Sequence, residues 1–284
     1  MIEELLKNKK KTLSFEVFPP KKDDEFDNAF EVMDKLSALQ PDFISVTYGA
    51  GGSRSKKTLD IAGYIQNTLH TDALAHMTCV GSTIASIDEN IREMKIRGVR
   101  NILALRGDRP EYMTDEQYDS REFEHATDLM KHLSQSLELT LAGACYAEKH
   151  FEAPDLATDL SYMKLKEEMG VRFFVSQLFY DNDCFYHFVE AARRAGITSP
   201  IIPGIMPITS ANQITKTVTL SGSSIPKALS DLIANYSDKP EDLRKAGIEF
   251  AVSQIRDLKA HDADGIHLYT MNRPKTTKEI VDAI

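Results

Sequence analysis

Cysteine is scarce in this chain. Only Cys79, Cys145 and Cys184 occur, with no CxxC spacing among them. An odd count without paired spacing argues against a disulfide framework, a cysteine-rich zinc site and an iron–sulfur cluster. Reduced thiols suit a cytoplasmic protein. Positive charge is also short: the formal net charge is −9, and no dense Lys/Arg stripe offers a footprint for nucleic acid. No apolar run approaches the roughly 20 residues that cross a bilayer, so no membrane partner is expected. The start, Met1-Ile2-Glu3-Glu4, is acidic and lacks the apolar core of a signal peptide. No GxGxxG opens a helical pattern, and the Gly-Lys-Ser/Thr of a phosphate loop is missing, so neither nucleotide motif has support. No Pro/Ser-rich linker, low-complexity tract or internal repeat divides the chain.

What is present is a repeating alternation. The 284 residues are 42% hydrophobic and 27% charged, the balance of a soluble globular protein with a full core. Strand-like runs are expected at 12–18, 42–47, 73–79, 100–105, 139–146, 172–177, 200–204 and 265–270. Their interiors are nearly continuous apolar runs, as in parallel strands buried on both faces. Helical patterns separate them at 24–39, 84–96, 156–169 and 184–194; in the first, Phe26, Phe30, Met33 and Leu36 recur at spacings of three and four. Gly170, Gly196 and Gly265 follow helical patterns, where a left-handed stop is expected. Segments 209–221, 227–235 and 240–260 read as extra helices within one long connection between the seventh and eighth strands. A doubly wound open sheet shares this periodicity. Eight strand–helix units, with polar residues at strand ends from both termini of the chain, favour a closed (β/α)8 barrel forming one domain over residues 1–284.

Those strand ends carry the chemistry. The first run contains Glu16 and reaches Pro19-Pro20; the second ends in Thr47-Tyr48-Gly49 and the third holds His76 and Thr78. The fourth ends in Arg106-Gly107-Asp108, the fifth leads to Glu148 and His150, the sixth ends in Gln177, and the last leads to Asn272-Arg273. Barrels of this class place their sites at that C-terminal rim. Ser14, Glu16 and Phe18 share one strand face. Glu16 is either a buried carboxylate paired with a cation or a general acid whose pKa is raised by the flanking phenylalanines. Arg106 and Asp108 could form a structural ion pair or contact a charged cofactor. Tyr146, Glu148 and His150 alternate and read as a pocket wall, since no further ligand completes a metal site. Asp159, Tyr162 and Lys166 share a helix face, which by itself reads as solvated. A lone His76 among apolar residues is often a satisfied core histidine. Gly49-Ala50-Gly51-Gly52-Ser53 reads as a flexible loop over the rim.

Five segments together resemble methylenetetrahydrofolate reductase: Ser14-Phe15-Glu16-Val17-Phe18-Pro19-Pro20, Ser45-Val46-Thr47-Tyr48-Gly49-Ala50, His76-Met77-Thr78-Cys79, Ala104-Leu105-Arg106-Gly107-Asp108 and Tyr269-Thr270-Met271-Asn272-Arg273. They follow that family's order across nearly the whole chain. The resemblance implies a (β/α)8 flavoprotein that reduces 5,10-methylenetetrahydrofolate to 5-methyltetrahydrofolate by a ping-pong route, with FAD as cofactor and NADH or NADPH as donor, in the service of methionine synthesis. It implies that Glu16 is the acid that opens the five-membered ring to a 5-iminium cation. Asp108 would be the carboxylate between flavin and pterin. Substrate contacts would come from Glu16, Gln177, Phe185, Gln213 and Arg273. FAD contacts would come from Thr47, His76, Arg106, Gly107, Asp108, Ala126, Tyr146, His150, Ala153, Asp159 and Lys166, with no metal. His125 stands where the family leads one to expect a tyrosine near the adenosine, and Tyr162 and Leu165 stand where bacterial relatives carry polar or basic residues. The chain ends soon after the eighth strand and helix, without room for the regulatory domain of the eukaryotic enzymes, which fits the short bacterial form. Homo-oligomers are the family habit. Without the resemblance, the residues equally suit a flavin-free barrel transferase or lyase with a pterin or phosphate ligand, or a non-catalytic flavin or folate binder.

Overall fold

A computed structural model describes residues 1–284 except 10, 21–25, 49–51, 111 and 137, and without the side chains of 27, 52–55, 215, 216 and 218–220. Strands and helices alternate along it. The strands are β1 (Thr12–Val17), β2 (Phe43–Val46), β3 (Asp72–Thr78), β4 (Asn101–Leu105), β5 (Thr140–Cys145), β6 (Val171–Ser176), β7 (Ile201–Ile202), β8 (Gly204–Ile205) and β9 (Gly265–Tyr269). All the pairings are parallel, in the order β7-β6-β5-β4-β3-β2-β1-β9-β8.

β7 and β8 are two halves of one barrel position. Pro203 lies between them, and a proline has no N–H to give the ladder. β7 pairs with β6, β8 pairs with β9, and the break is bridged by Gly204 N donating to Ser176 Oγ at 2.8 Å and by His267 N donating to the Pro203 carbonyl at 2.9 Å. The barrel thereby closes with eight strand positions, as the sequence pattern predicts.

Successive side chains on each strand point in opposite directions. One set faces outward: Phe15, Val17, Ile44, Val46, Ala75 and Met77 join the large core under the helices. The other set faces the barrel axis, where Phe43, Leu74, Leu103, Ala142, Phe173, Val175 and Ile202 form an apolar floor. The N-terminal helix α1 (Ile2–Asn8) plugs that floor from below through Ile2 and Leu6, and Ile2 N donates to Asn101 Oδ1 at 3.2 Å. The sequence reading did not anticipate α1, whose seven residues are too few for a clear period.

The surrounding helices are α2 (Phe26–Ser37), α3 (Gly52–Asn67), α4 (Ile84–Ile96), α5 (Asp115–Asp119), α6 (Ala126–Leu133), α7 (Leu156–Glu168), α8 (Asn182–Arg194), α9 (Ala211–Ser221), α10 (Lys227–Tyr236), α11 (Pro240–Ala260) and α12 (Pro274–Val281). The three extra helices in the long connection are α9, α10 and α11. They enclose a satellite core of Leu178, Tyr180, Met206, Ile208, Ile214 and Leu229 that also reaches Phe250 and Tyr269. Gly170 and Gly196 adopt φ of +102° and +79°, the expected left-handed stops. Gly265 corrects that expectation. It is the first residue of β9, and a Cβ there would lie 2.3 Å from Thr12 Oγ1, so close strand pairing requires the glycine. The left-handed position after α11 belongs to Asp262, at φ 57°. No helix among the described residues is long and apolar enough to cross a membrane.

Candidate functional site

Above the apolar floor lies one polar layer. Glu16 points into it from β1, paired in register with Ser45 of β2 and Tyr269 of β9. Phe15, next to Glu16 in sequence, faces the helices instead. Strand alternation therefore corrects the expectation that Glu16 sits among its flanking phenylalanines. Its spatial neighbours are imidazoles: His76 Nε2 lies 3.5 Å and His267 Nε2 3.7 Å from the same oxygen, Glu16 Oε2. His76 is 7% exposed and its Nε2 has no hydrogen-bond partner. Burial lowers its pKa to about 4, so its ring is neutral at pH 7.

The strand end above Glu16 is clamped. Asn272 exchanges two hydrogen bonds with the backbone of Phe18, at 3.1 and 2.8 Å, and Thr270 Oγ1 donates to the Glu16 carbonyl at 2.7 Å. Met271 and Asn272 both take left-handed backbone, at φ 52° and 53°. Such conformations cost energy in residues other than glycine and cluster at functional sites.

The sequence-predicted residues divide around the rim. Thr47, His76, Arg106, Gly107, Asp108, Tyr146 and His150 lie on or just beyond β2 to β5. Ala126 opens α6, and Asp159 and Lys166 lie on α7 behind β5. Arg106 pairs with Glu152 rather than Asp108, through two contacts at 2.5 and 2.8 Å. Gly107 turns at φ +81°, with room for no Cβ: one would meet Thr78 Cβ at 2.9 Å. Asp108 is exposed at the mouth. Tyr146 and His150 meet edge to face, ring centroids 4.6 Å apart, and burial raises the Tyr146 phenol to about 12. Asp159 Oδ2 accepts from His150 N at 2.8 Å, Lys166 Nζ donates to the Ala144 carbonyl at 3.0 Å, and burial lowers the Lys166 pKa. Ala153 is buried and donates its N–H to the His150 carbonyl at 2.9 Å.

The folate-side residues lie across the mouth. Gln177 follows β6 and accepts from Leu178 N at 2.9 Å. Gln213 on α9 accepts from Thr209 N and Thr209 Oγ1, both at 3.0 Å, while Arg273 Nη1 donates to the same Thr209 Oγ1 at 2.5 Å. Gln213 and Arg273, 60 residues apart in sequence, are thus joined through one hydroxyl. Phe185 is set apart. It is 2% exposed and stacks on Phe179 at 4.9 Å within the helical layer, because it lies on the buried face of α8 with Phe188 and Ala192.

Two sequence-level groupings change. Tyr146, Glu148 and His150 do not share a strand face, since β5 ends at Cys145 and the chain turns, Lys149 taking φ 66°. Glu148 instead accepts from Ser224 N with both carboxylate oxygens at 3.1 Å, tying the end of β5 to the α9–α10 connection. Tyr162 is 52% exposed and leaves the Asp159/Lys166 pair. Of the glycine-rich loop, Gly49–Gly51 lie outside the described residues, and Gly52 begins α3. Sequence reasoning missed His267, Glu152 and Thr209. A histidine inside the apolar run of β9 is the same signal that exposed His76; Glu152 and Thr209 sit in loops that carry no such contrast.

Closed barrel and rim together define a (β/α)8 protein of the kind that works at its strand C-termini, with a carboxyl over two buried imidazoles and cationic and aromatic groups along one side. More narrowly, the chain belongs to the methylenetetrahydrofolate reductase family, whose model matches residues 1–284. It is 37% identical over 276 residues to methylenetetrahydrofolate reductase (NADH) 1 of Arabidopsis thaliana, covering 93% of this chain and 46% of that protein. It is 30% identical over 268 residues to 5,10-methylenetetrahydrofolate reductase of Escherichia coli, covering 94% and 88%. The chain spans about half the length of the plant and yeast relatives it matches. Among solved structures, a Clostridium thermocellum protein described as binding two copies of 5-methyl-5,6,7,8-tetrahydrofolic acid shares the fold, with a TM-score of 0.68 at 12% identity over 100% of this chain and 97% of that one. A dihydropteroate synthase from Xanthomonas albilineans shares it at a TM-score of 0.55 and 10% identity, over 96% and 91%.

Proposed function

We propose that residues 1–284 form one catalytic barrel that reduces 5,10-methylenetetrahydrofolate to 5-methyltetrahydrofolate, with FAD as cofactor and NADH or NADPH as donor, by a ping-pong route that supplies methyl groups for methionine synthesis. Family membership supports the reaction. The observation that carries the site is Glu16 at the mouth, its Oε2 facing two imidazoles and no Lys or Arg partner among the described residues.

The residues on the β2–β5 side suit FAD. Arg106 and Lys166 supply cationic donors of the kind a diphosphate takes. Tyr146 and His150 supply an aromatic surface, and the orphaned Nε2 of His76 is a buried polar atom still in want of a partner. Bound there, FAD would accept hydride from NAD(P)H and later yield it to the exocyclic methylene of the folate. Glu16 holds the proton that the departing ring nitrogen takes as the five-membered ring opens. Asp108 carries negative charge at the mouth, where it would stabilise the cationic iminium. Gln177, Gln213 and Arg273 would orient the folate from the other side, in a homo-oligomer working in the reducing cytoplasm that free Cys79, Cys145 and Cys184 suit.

The test separates the half-reactions. An anaerobic visible spectrum of the purified protein should show flavin that bleaches with NADH. Glu16→Gln should keep that bleaching and lose folate reduction by roughly 10²–10⁴-fold, the usual contribution of a general acid. Full folate reduction in that variant would remove Glu16 from the role.

A further inference from the structure

We infer that His267 is a positioning residue for Glu16: Ser14 fixes its tautomer so that an Nε2–H is held against the inner carboxylate oxygen from the closed side of the barrel. The inference rests on the acid reading of Glu16 and deepens it.

His267 is fully buried, at 0% exposure, in the middle of an otherwise apolar strand. A buried imidazole without hydrogen-bond partners is costly, so its neighbours are diagnostic. Nδ1 lies 2.7 Å from Ser14 Oγ, the shortest polar contact in the layer. Nε2 lies 3.4 Å from Ser45 Oγ and 3.7 Å from Glu16 Oε2. The ring stacks on Phe43 from the floor side, centroids 6.1 Å apart, and meets Tyr269 edge-on at 5.4 Å. Tyr269 is itself held by donating to the Ser176 carbonyl at 2.8 Å. The imidazole therefore has little freedom to turn.

Ser14 has one hydroxyl proton and two possible acceptors, His267 Nδ1 at 2.7 Å and the Ile266 carbonyl at 3.3 Å. Given to Nδ1, it leaves His267 with its own proton on Nε2, facing Glu16 and Ser45. Given to Ile266, it leaves a lone pair on Nε2 facing a carboxylate oxygen, which is repulsive. The shorter distance and the electrostatics select the same tautomer. The separation from Glu16 exceeds a good hydrogen bond, as is common before substrate binds, and a small rotation of the Glu16 side chain would close it.

The consequence concerns the moment after Glu16 has given up its proton. An N–H on Oε2 stabilises the carboxylate and makes Glu16 a stronger acid. The ionisable groups facing the pair are His76 from β3 and Tyr269 from β9, with Cys145 and Tyr146 beyond Tyr269. His76 is neutral and meets the same Oε2, so it does not supply the cation that would make His267 redundant.

Two experiments decide this. Long-range ¹H–¹⁵N spectra of the flavin-free protein should show His267 as the Nε2–H tautomer, and Ser14→Ala should mix the tautomers. An Nδ1–H imidazole in the unaltered protein would overturn the inference without any assay of activity. In the flavin-loaded enzyme, His267→Phe keeps the ring and removes the donor. The folate half-reaction should slow by about tenfold, and its high-pH limb should move up by about one unit as Glu16 becomes a weaker acid. The NADH half-reaction should stay unchanged, and His267→Gln, which keeps an N–H, should recover most of the rate. A purely structural role predicts that both half-reactions and the melting temperature fall together with the limb unmoved; that result also overturns it. If Glu16→Gln keeps folate reduction, the acid reading fails; if it abolishes folate reduction while the His267→Phe limb stays put, the inference alone fails.

Discussion

Arg106 shows how one neighbour redirects a cation. Its guanidinium is gripped by both oxygens of Glu152, and the pairing lowers the Glu152 pKa and raises that of Arg106. An incoming diphosphate must displace Glu152 to use the same donors. A partly exposed pair of this kind is worth up to about 1 kcal/mol. Glu152→Gln should therefore bind FAD up to about fivefold more tightly, as read by quenching of flavin fluorescence on titration into apoprotein. Weaker binding would mean that Glu152 itself supports the cofactor. The pair was illegible in the sequence, where Asp108, two residues from Arg106, is the obvious local partner. The fold brings Glu152 across from the turn after β5 instead.

At the scale of elements, local signals carried far. Helix α4 begins with Thr83 accepting from Ser86 N, α7 with Asp155 accepting from Thr158 N, and α11 carries Pro240 at its start. Longer ties were not legible. Glu167, at the end of α7, accepts from the N–H and hydroxyl groups of both Thr198 and Ser199, all between 2.7 and 3.1 Å, and pairs with Lys164 at 2.8 Å. These contacts fasten the connection into β7. Burial pushes the carboxyl up, but Lys164 and the Ser199 and Thr198 donors outweigh it and bring the pKa from 4.5 down to about 2. A depressed carboxylate pKa gives stability that is complete above the unfolded value and is lost as pH falls through the folded one. On the order of 3 kcal/mol should disappear between about pH 4.5 and about pH 2. Urea midpoints measured across that window should fall less steeply in Glu167→Gln than in the unaltered chain, although the variant starts lower at pH 7.

For the whole molecule, the barrel floor and its plug form one packing unit. Ile2 is fully buried against side chains from β2, β3, β4, β5, β6 and β7, far below the rim. Ile2→Ala should cost about 2–5 kcal/mol, as large-to-small changes in packed cores do. Flavin binding at low temperature should survive, since apolar residues separate Ile2 from the polar layer. A loss of flavin affinity as large as the loss of stability would show that floor and rim are coupled.

The sequence by itself determined where the strands and most helices lie, because buried parallel strands and amphipathic helices write their periods into adjacent residues. It also marked Glu16, His76, Arg106, Asp108 and Arg273, since polar residues at the ends of apolar runs stand out locally. Only the tertiary structure decided which of them meet. Glu148 is drawn away to Ser224, Phe185 is turned into the helical layer, Gln213 and Arg273 converge on Thr209, and His267 closes beneath Glu16 from 251 residues away. The physical reason is closure. Alternation along one strand says which side chains point inward, but the register of β1 against β9 and the break at Pro203 fix which inward groups share a layer, and those distances are not written in any local stretch of chain.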